Sequence, residues 1–164
     1  MKPLIVLFAG YSNSGKTTFI KKLMPILKKR NLKIGFLKHD VHNFEMDKKG
    51  KDTYRIFKTG ADMVAISSPY KFALIKNSNK EMSLRDIIKL YFNNMDIVMV
   101  EGYKKEQGVK FELNKKQKTI RFYKNKKLVF EIKKGKNFKI KLNEVKKAED
   151  FILENLNNFC KMRT

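Results

Sequence analysis

Residues 8–19 read FAGYSNSGKTTF, and the reading of that joint decides the fold. Gly10 to Thr17 fit G-x-x-x-x-G-K-[ST], the pattern of a phosphate-binding loop. Each position has a physical task. The glycines permit dihedrals closed to other residues, successive backbone N–H groups turn inward around an anion, and the helix that follows presents its positive end to it. Gly10, Ser12, Asn13, Ser14, Gly15, Lys16, Thr17 and Thr18 are therefore the candidate phosphate ligands. Lys16 would meet the terminal phosphates, and the Thr17 hydroxyl would ligate Mg²⁺ bridging two phosphate oxygens.

Such a loop needs a strand before it and a helix after it, and both are present. Pro3 to Ala9 (PLIVLFA) is a continuous apolar run rich in β-branched residues, the mark of a strand buried on both faces. After Gly15, Phe19, Ile20, Leu23, Met24, Ile26 and Leu27 recur at helical spacing, with Pro25 expected to kink or divide the helix. LKIGFLK (32–38) predicts a second strand, 39–52 a polar loop, and Thr53 to Thr59 a short helix stopped by Gly60. Residues 63–67 and 71–76 predict two strands joined as a hairpin. Ser83 caps a predicted amphipathic helix, and DIVMVEG (96–102) is again a buried strand.

Beyond Tyr103 lysines crowd in, and FEL, TIRFY, LVFEI and FKIKL alternate polar with apolar residues, predicting antiparallel strands with one exposed face. Asn143 to Cys160 predicts a closing helix. The expected fold is α/β: a mainly parallel sheet of the P-loop NTPase kind flanked by helices, with a small C-terminal antiparallel β lobe and a final helix. The expected division is a nucleotide-binding core over 1–103, a basic β-rich lobe over 104–142, and a C-terminal helix over 143–164 packed on the core.

Two further places carry chemistry. Glu101 ends a predicted central strand, the edge at which open α/β sheets gather ligands, so it is a candidate to hold the metal or orient water. Asp40 follows the second strand and is a candidate third contributor near the γ-phosphate and Mg²⁺. His39 and His42 are thin as a zinc set, since no cysteine stands near them. The assigned catalytic set is thus Lys16, Asp40 and Glu101, with Thr17, Glu101 and Asp40 toward the metal.

The totals bound the rest. With 164 residues and 42% hydrophobic residues, a real core is possible, and no apolar run is long enough to cross a bilayer. One cysteine, Cys160, excludes an internal disulfide and fits a reducing, cytoplasmic setting. The formal charge of +22 invites a nucleic-acid reading. That charge is nearly all lysine, spread along the whole chain, and alternation turns most of Phe111, Phe122, Tyr123, Phe130 and Phe138 toward the core, so a solvated lysine-rich surface is the simpler account.

The stretches GYSNSGKTT, LKIGFLKHDVHNFEMDKKGKDTYRIFKTGAD and DIVMVEGYK, in that order, resemble the molybdopterin-guanine dinucleotide biosynthesis protein B (MobB) family. KHDVHNFEMDKKGKD together with VEGYK is the specific part. The resemblance implies a homodimer that binds GTP, hydrolyses it weakly, and assists a partner guanylyltransferase that attaches GMP to molybdopterin. Gly50, Lys51, Asp52 and Arg55 fall in the family's distinctive loop and helix. The last third departs from the family pattern until FKIKLNEVKKAEDFI. GTP comes from the resemblance alone, because no Asn-Lys-x-Asp or Thr-Lys-x-Asp stretch of the guanine-reading kind occurs. The alternative is a small-molecule kinase using ATP, with Asp40 taking a proton from an acceptor alcohol.

Overall fold

The computed structural model describes residues 2–40, 44–103, 105–135 and 138–161; His42 lies outside the described residues. Twelve elements follow one another: β1 (Leu4–Ala9), α1 (Lys16–Lys28), β2 (Ile34–Lys38), α2 (Asp52–Lys58), β3 (Met63–Ser68), β4 (Lys71–Lys76), α3 (Leu84–Tyr91), β5 (Ile97–Glu101), β6 (Val109–Asn114), β7 (Thr119–Lys124), β8 (Lys127–Lys133) and α4 (Leu142–Lys161). The chain forms two compact units, one of residues 1–39 with 84–164 and one of residues 40–83.

The first unit is built on a six-stranded sheet in the order β2-β5-β1-β6-β7-β8. β2, β5, β1 and β6 run parallel, and β7 and β8 continue antiparallel. β1 and β5 are central, which is why LIVLFA and IVMVE are apolar without alternation. One face of the sheet packs Leu4, Val6, Phe8, Ile97, Met99, Phe111 and Phe122 against Phe19, Leu23 and Leu27 of α1 and Val145, Ala148 and Ile152 of α4. The opposite face packs Leu7, Val98 and Val100 against Leu84 and Ile88 of α3. Each Val, Leu, Ile, Phe or Met side chain so removed from water stabilises the fold by about 1.5–3 kcal/mol.

The structure redraws three expectations. The basic strands do not form a lobe of their own: β6 pairs along β1, from Val6 opposite Val109 to Ala9 opposite Glu112, so they extend the same sheet as β1. The division falls instead around residues 40–83. α1 runs unbroken through Pro25, because the ring removes one backbone donor while Phe19, Ile20, Leu23 and Leu27 bury the same face on either side of it. FKIKL is not a strand either. Lys22 donates to the Ile140 carbonyl, Lys134 to the Lys139 carbonyl, and the Lys141 N–H donates to Glu144, so side chains satisfy a backbone that no strand pairs with.

In the second unit, β3 and β4 make the expected hairpin, Met63 opposite Lys76 through Ser68 opposite Lys71. Met63, Ile66 and Phe72 on it are exposed, Phe72 at 66%. Among the described residues no helix is long and apolar enough to cross a membrane.

Candidate functional site

β1 enters the loop at Gly10, whose φ is +142°, and a side chain there would collide with the Leu113 carbonyl at the end of β6 and with Ser14 Oγ, 2.6 Å away. Only glycine lets the backbone pass that close. Asn13 and Gly15 also take positive φ, +57° and +91°, and Gly15 is the residue before α1. α1 has no side-chain cap and no acid in its first turn. Its first N–H groups and its positive end are thus left toward the loop, the arrangement that suits an anion.

Three side chains converge there. Lys16 Nζ donates to the carbonyls of Gly10 at 3.2 Å and Tyr11 at 2.9 Å, and lies 3.7 Å from Glu101 Oε1. Thr17 Oγ1 stands 3.5 Å from Glu101 Oε2. Glu101 arrives from the last position of β5, in register with Phe8 of β1, so the strand next to β1 delivers the carboxylate to the mouth of the loop. Asp96, at the other end of that strand, accepts the Lys33 N–H at 2.7 Å and takes no part in the site. A cleft of about 410 Å³ is lined by residues 12–18, Lys38 and Glu101.

Whether these residues fit a phosphate chain is tested by Ser14. It is 2% exposed, and its Oγ, buried in the loop, has no hydrogen-bond partner among the described residues. A buried hydroxyl left without a partner in a cradle of N–H groups is what an anionic ligand would complete. The donor set at Thr17 and Glu101, a hydroxyl and a carboxylate, suits a hard cation such as Mg²⁺. Among the described residues no three His, Cys, Asp or Glu side chains cluster as a metal set. His39 instead stacks on Tyr103, ring centroids 4.3 Å apart, and its backbone N–H donates to the Glu101 carbonyl at 2.8 Å.

The structure therefore brings together Gly10, Ser12, Asn13, Ser14, Gly15, Lys16, Thr17, Thr18 and Glu101 at one sheet edge. Asp40 is the first residue of the other compact unit and is not among the residues lining the cleft. Lys38 escaped the reading of the sequence. Its signal was its place as the last residue of the predicted strand that follows the loop's helix, the same end-of-strand position that singled out Glu101. Leu113, Phe138 and Ile140 also escaped it; they back Gly10 and Gly15 from the far end of the chain.

Comparison with known proteins adds independent support. Residues 5–149 match the family model described as molybdopterin guanine dinucleotide synthesis protein B. The molybdopterin-guanine dinucleotide biosynthesis adapter protein of Escherichia coli is 36% identical over 116 residues, 69% of this chain and 66% of the relative. That of Haemophilus influenzae is 35% identical over 111 residues, 67% of this chain and 62% of the relative. The chain thus spans just under two thirds of these curated relatives. The crystal structure of Bacillus subtilis MobB superposes with a TM-score of 0.57 at 34% identity, covering 67% of each chain. A second crystal structure, of molybdopterin-guanine biosynthesis protein B, gives a TM-score of 0.57 at 33% identity over 68% of this chain and 70% of its own. With most of its length inside the family model and its fold shared with these structures, the chain belongs to the molybdopterin guanine dinucleotide synthesis protein B (MobB) family.

Proposed function

We propose that this protein binds GTP with Mg²⁺, hydrolyses it slowly, and acts as an accessory protein in the attachment of GMP to molybdopterin. The observation that carries the nucleotide reading is the convergence of Lys16, Thr17 and Glu101 on a loop whose buried Ser14 hydroxyl lacks a partner. Family membership and relatives named as adapter proteins of molybdopterin-guanine dinucleotide biosynthesis support the cofactor role.

In this reading the loop N–H groups and the α1 N-terminus hold the phosphates, and Lys16 exchanges its carbonyl partners for phosphate oxygens. Thr17 and Glu101 hold the metal, which when bound neutralises phosphate charge. Glu101, the carboxylate at the cleft, orients the attacking water. Among the described residues no arginine lines the cleft, and Arg30 and Arg121 of the same unit are paired with Glu149 and with Glu112 and Glu131. Without an arginine on the transferring phosphate, turnover is slow until a partner supplies one.

A partner guanylyltransferase, a homodimer built through the exposed β3–β4 hairpin, and a cytoplasmic setting complete the proposal. The hairpin's uncovered apolar side chains support the second copy, and the free Cys160 supports a reducing compartment. Titration calorimetry with GTP and ATP, each with and without Mg²⁺, tests the reading. The expected outcome is Mg²⁺-dependent binding with GTP tighter. Lys16→Ala should lose binding with its circular dichroism unchanged; unaltered affinity in that variant refutes the assignment.

A further inference from the structure

We propose that Lys38 is a second phosphate-contacting cation, reading the third phosphate of the bound nucleotide and so separating triphosphate from diphosphate. This rests on the nucleotide reading above and assigns a chemical discrimination to the same cleft.

The strand register places Lys38. Phe8 of β1, Glu101 of β5 and Lys38 of β2 form one row across three parallel strands. Residues in one row of a parallel sheet leave it on the same face. Phe8 of that row packs in the core beneath α1, and Glu101 reaches Lys16 and Thr17 on that side. The rest of β2 keeps the same phase: Ile34, in the row of Leu4 and Ile97, packs on the α1 core, whereas Leu37, in the row of Leu7 and Val100, packs on the α3 side. Lys38 therefore leaves the sheet toward the phosphate loop, and it lines the cleft there.

Its distance from the loop sets which phosphate it meets. β2 is two strands from β1, a displacement of roughly 10 Å along the row. Lys16 follows the loop that leaves β1 and Lys38 ends β2, with β5 and its last residue Glu101 between those strands. Among the described residues the cleft is thus lined by two lysines and one carboxylate. Lys16 is largely enclosed, at 12% side-chain exposure, and already faces Glu101. Lys38 is exposed at the outer side. A diphosphate seated against Gly15 and Lys16 ends near Glu101. The additional phosphate of a triphosphate shares Lys16 and the metal held by Thr17 and Glu101 with its neighbour, and Lys38, from the strand on the other side of β5, would supply a further cation for the charge it brings. A lysine supplies a compact charge rather than a planar fork, which suits holding a phosphate without the bidentate grip of an arginine.

The test compares GTP and GDP affinities by calorimetry, with Mg²⁺, for the intact protein and for Lys38→Ala, Lys38→Arg and Lys89→Ala. Lys89 is an exposed lysine of α3 and controls for loss of a charge. Lys38→Ala should weaken GTP by roughly tenfold while GDP changes by less than about twofold. Lys38→Arg should restore most of the GTP affinity, and Lys89→Ala should move neither. Melting temperatures measured alongside separate a loss of fold from a loss of phosphate contact. Equal loss for both nucleotides, loss for neither, or the same loss in Lys89→Ala overturns the role of Lys38 while leaving the nucleotide reading intact. Failure of the unaltered protein to bind either nucleotide overturns both.

Discussion

Gly10 has no room for even one carbon. Gly10→Ala would drive a methyl group into the Leu113 carbonyl and Ser14 Oγ and hold alanine at φ +142°. We expect a loss of about 1–3 kcal/mol in urea unfolding and nucleotide affinity reduced further than stability alone explains. Gly102 is confined in a similar way: it takes φ +106°, and a side chain there would stand 2.7 Å from His39 Cβ, which the His39–Tyr103 stack holds in place. At this scale the site was largely legible in the sequence. Lys16 and Thr17 lie in one contiguous pattern, and Glu101 ends an apolar run. Lys38 was not, because its neighbourhood with Glu101 depends on β5 lying between β1 and β2, a sheet order that no local pattern encodes.

Among the elements, the stretch from Lys134 to Glu144 shows how a polar pattern misleads. FKIKL alternates as a strand would, and Phe138 and Ile140 do turn inward. Their target is the phosphate loop: Ile140 Cδ1 and Phe138 Cε1 stand 3.4 and 3.7 Å from where a side chain on Gly15 would begin. The segment is tied at its base by a buried ion pair, Lys134 with Glu144, whose side chains are 3% and 7% exposed. Glu144 also accepts the Lys141 N–H at the start of α4. Lys134→Met would leave Glu144 buried and unpaired, and should cost about 3–5 kcal/mol in urea unfolding. Adding Glu144→Leu should recover much of that, since a buried pair is roughly balanced against apolar replacements. The helices were readable from their apolar stripes. This tether was not, because its two partners signal nothing at their separate positions.

For the molecule as a whole, charge and exposed apolar surface oppose each other. A formal charge of +22 resists association, yet the hairpin leaves Met63, Phe72 and Leu74 uncovered on one of its faces. An isolated two-stranded hairpin is marginal by itself, so a second copy covering it would stabilise it. If the proposed dimer forms there, Phe72→Lys with Leu74→Lys should shift sedimentation to the monomer at micromolar protein while leaving nucleotide binding measurable. The stacking surfaces that a nucleic-acid reading requires are spent on the core: Phe111 and Phe122 are fully buried, against each other and against Phe151 of α4. The α/β plan and its strand-and-helix sequence were written in the hydrophobic periodicity. The extension of the sheet through β6 was not, since both one long sheet and a separate lobe satisfy the same alternation.

The wall behind Gly10 and Gly15 is made by Leu113, Phe138 and Ile140, about a hundred positions later in the chain. A ribosome that has just synthesised the glycine-lysine turn has produced a flexible segment rather than a receptor. The turn gains its backing only when Leu113, Phe138 and Ile140 have emerged and folded against it, so the proposed capture of nucleotide would follow that folding rather than guide it.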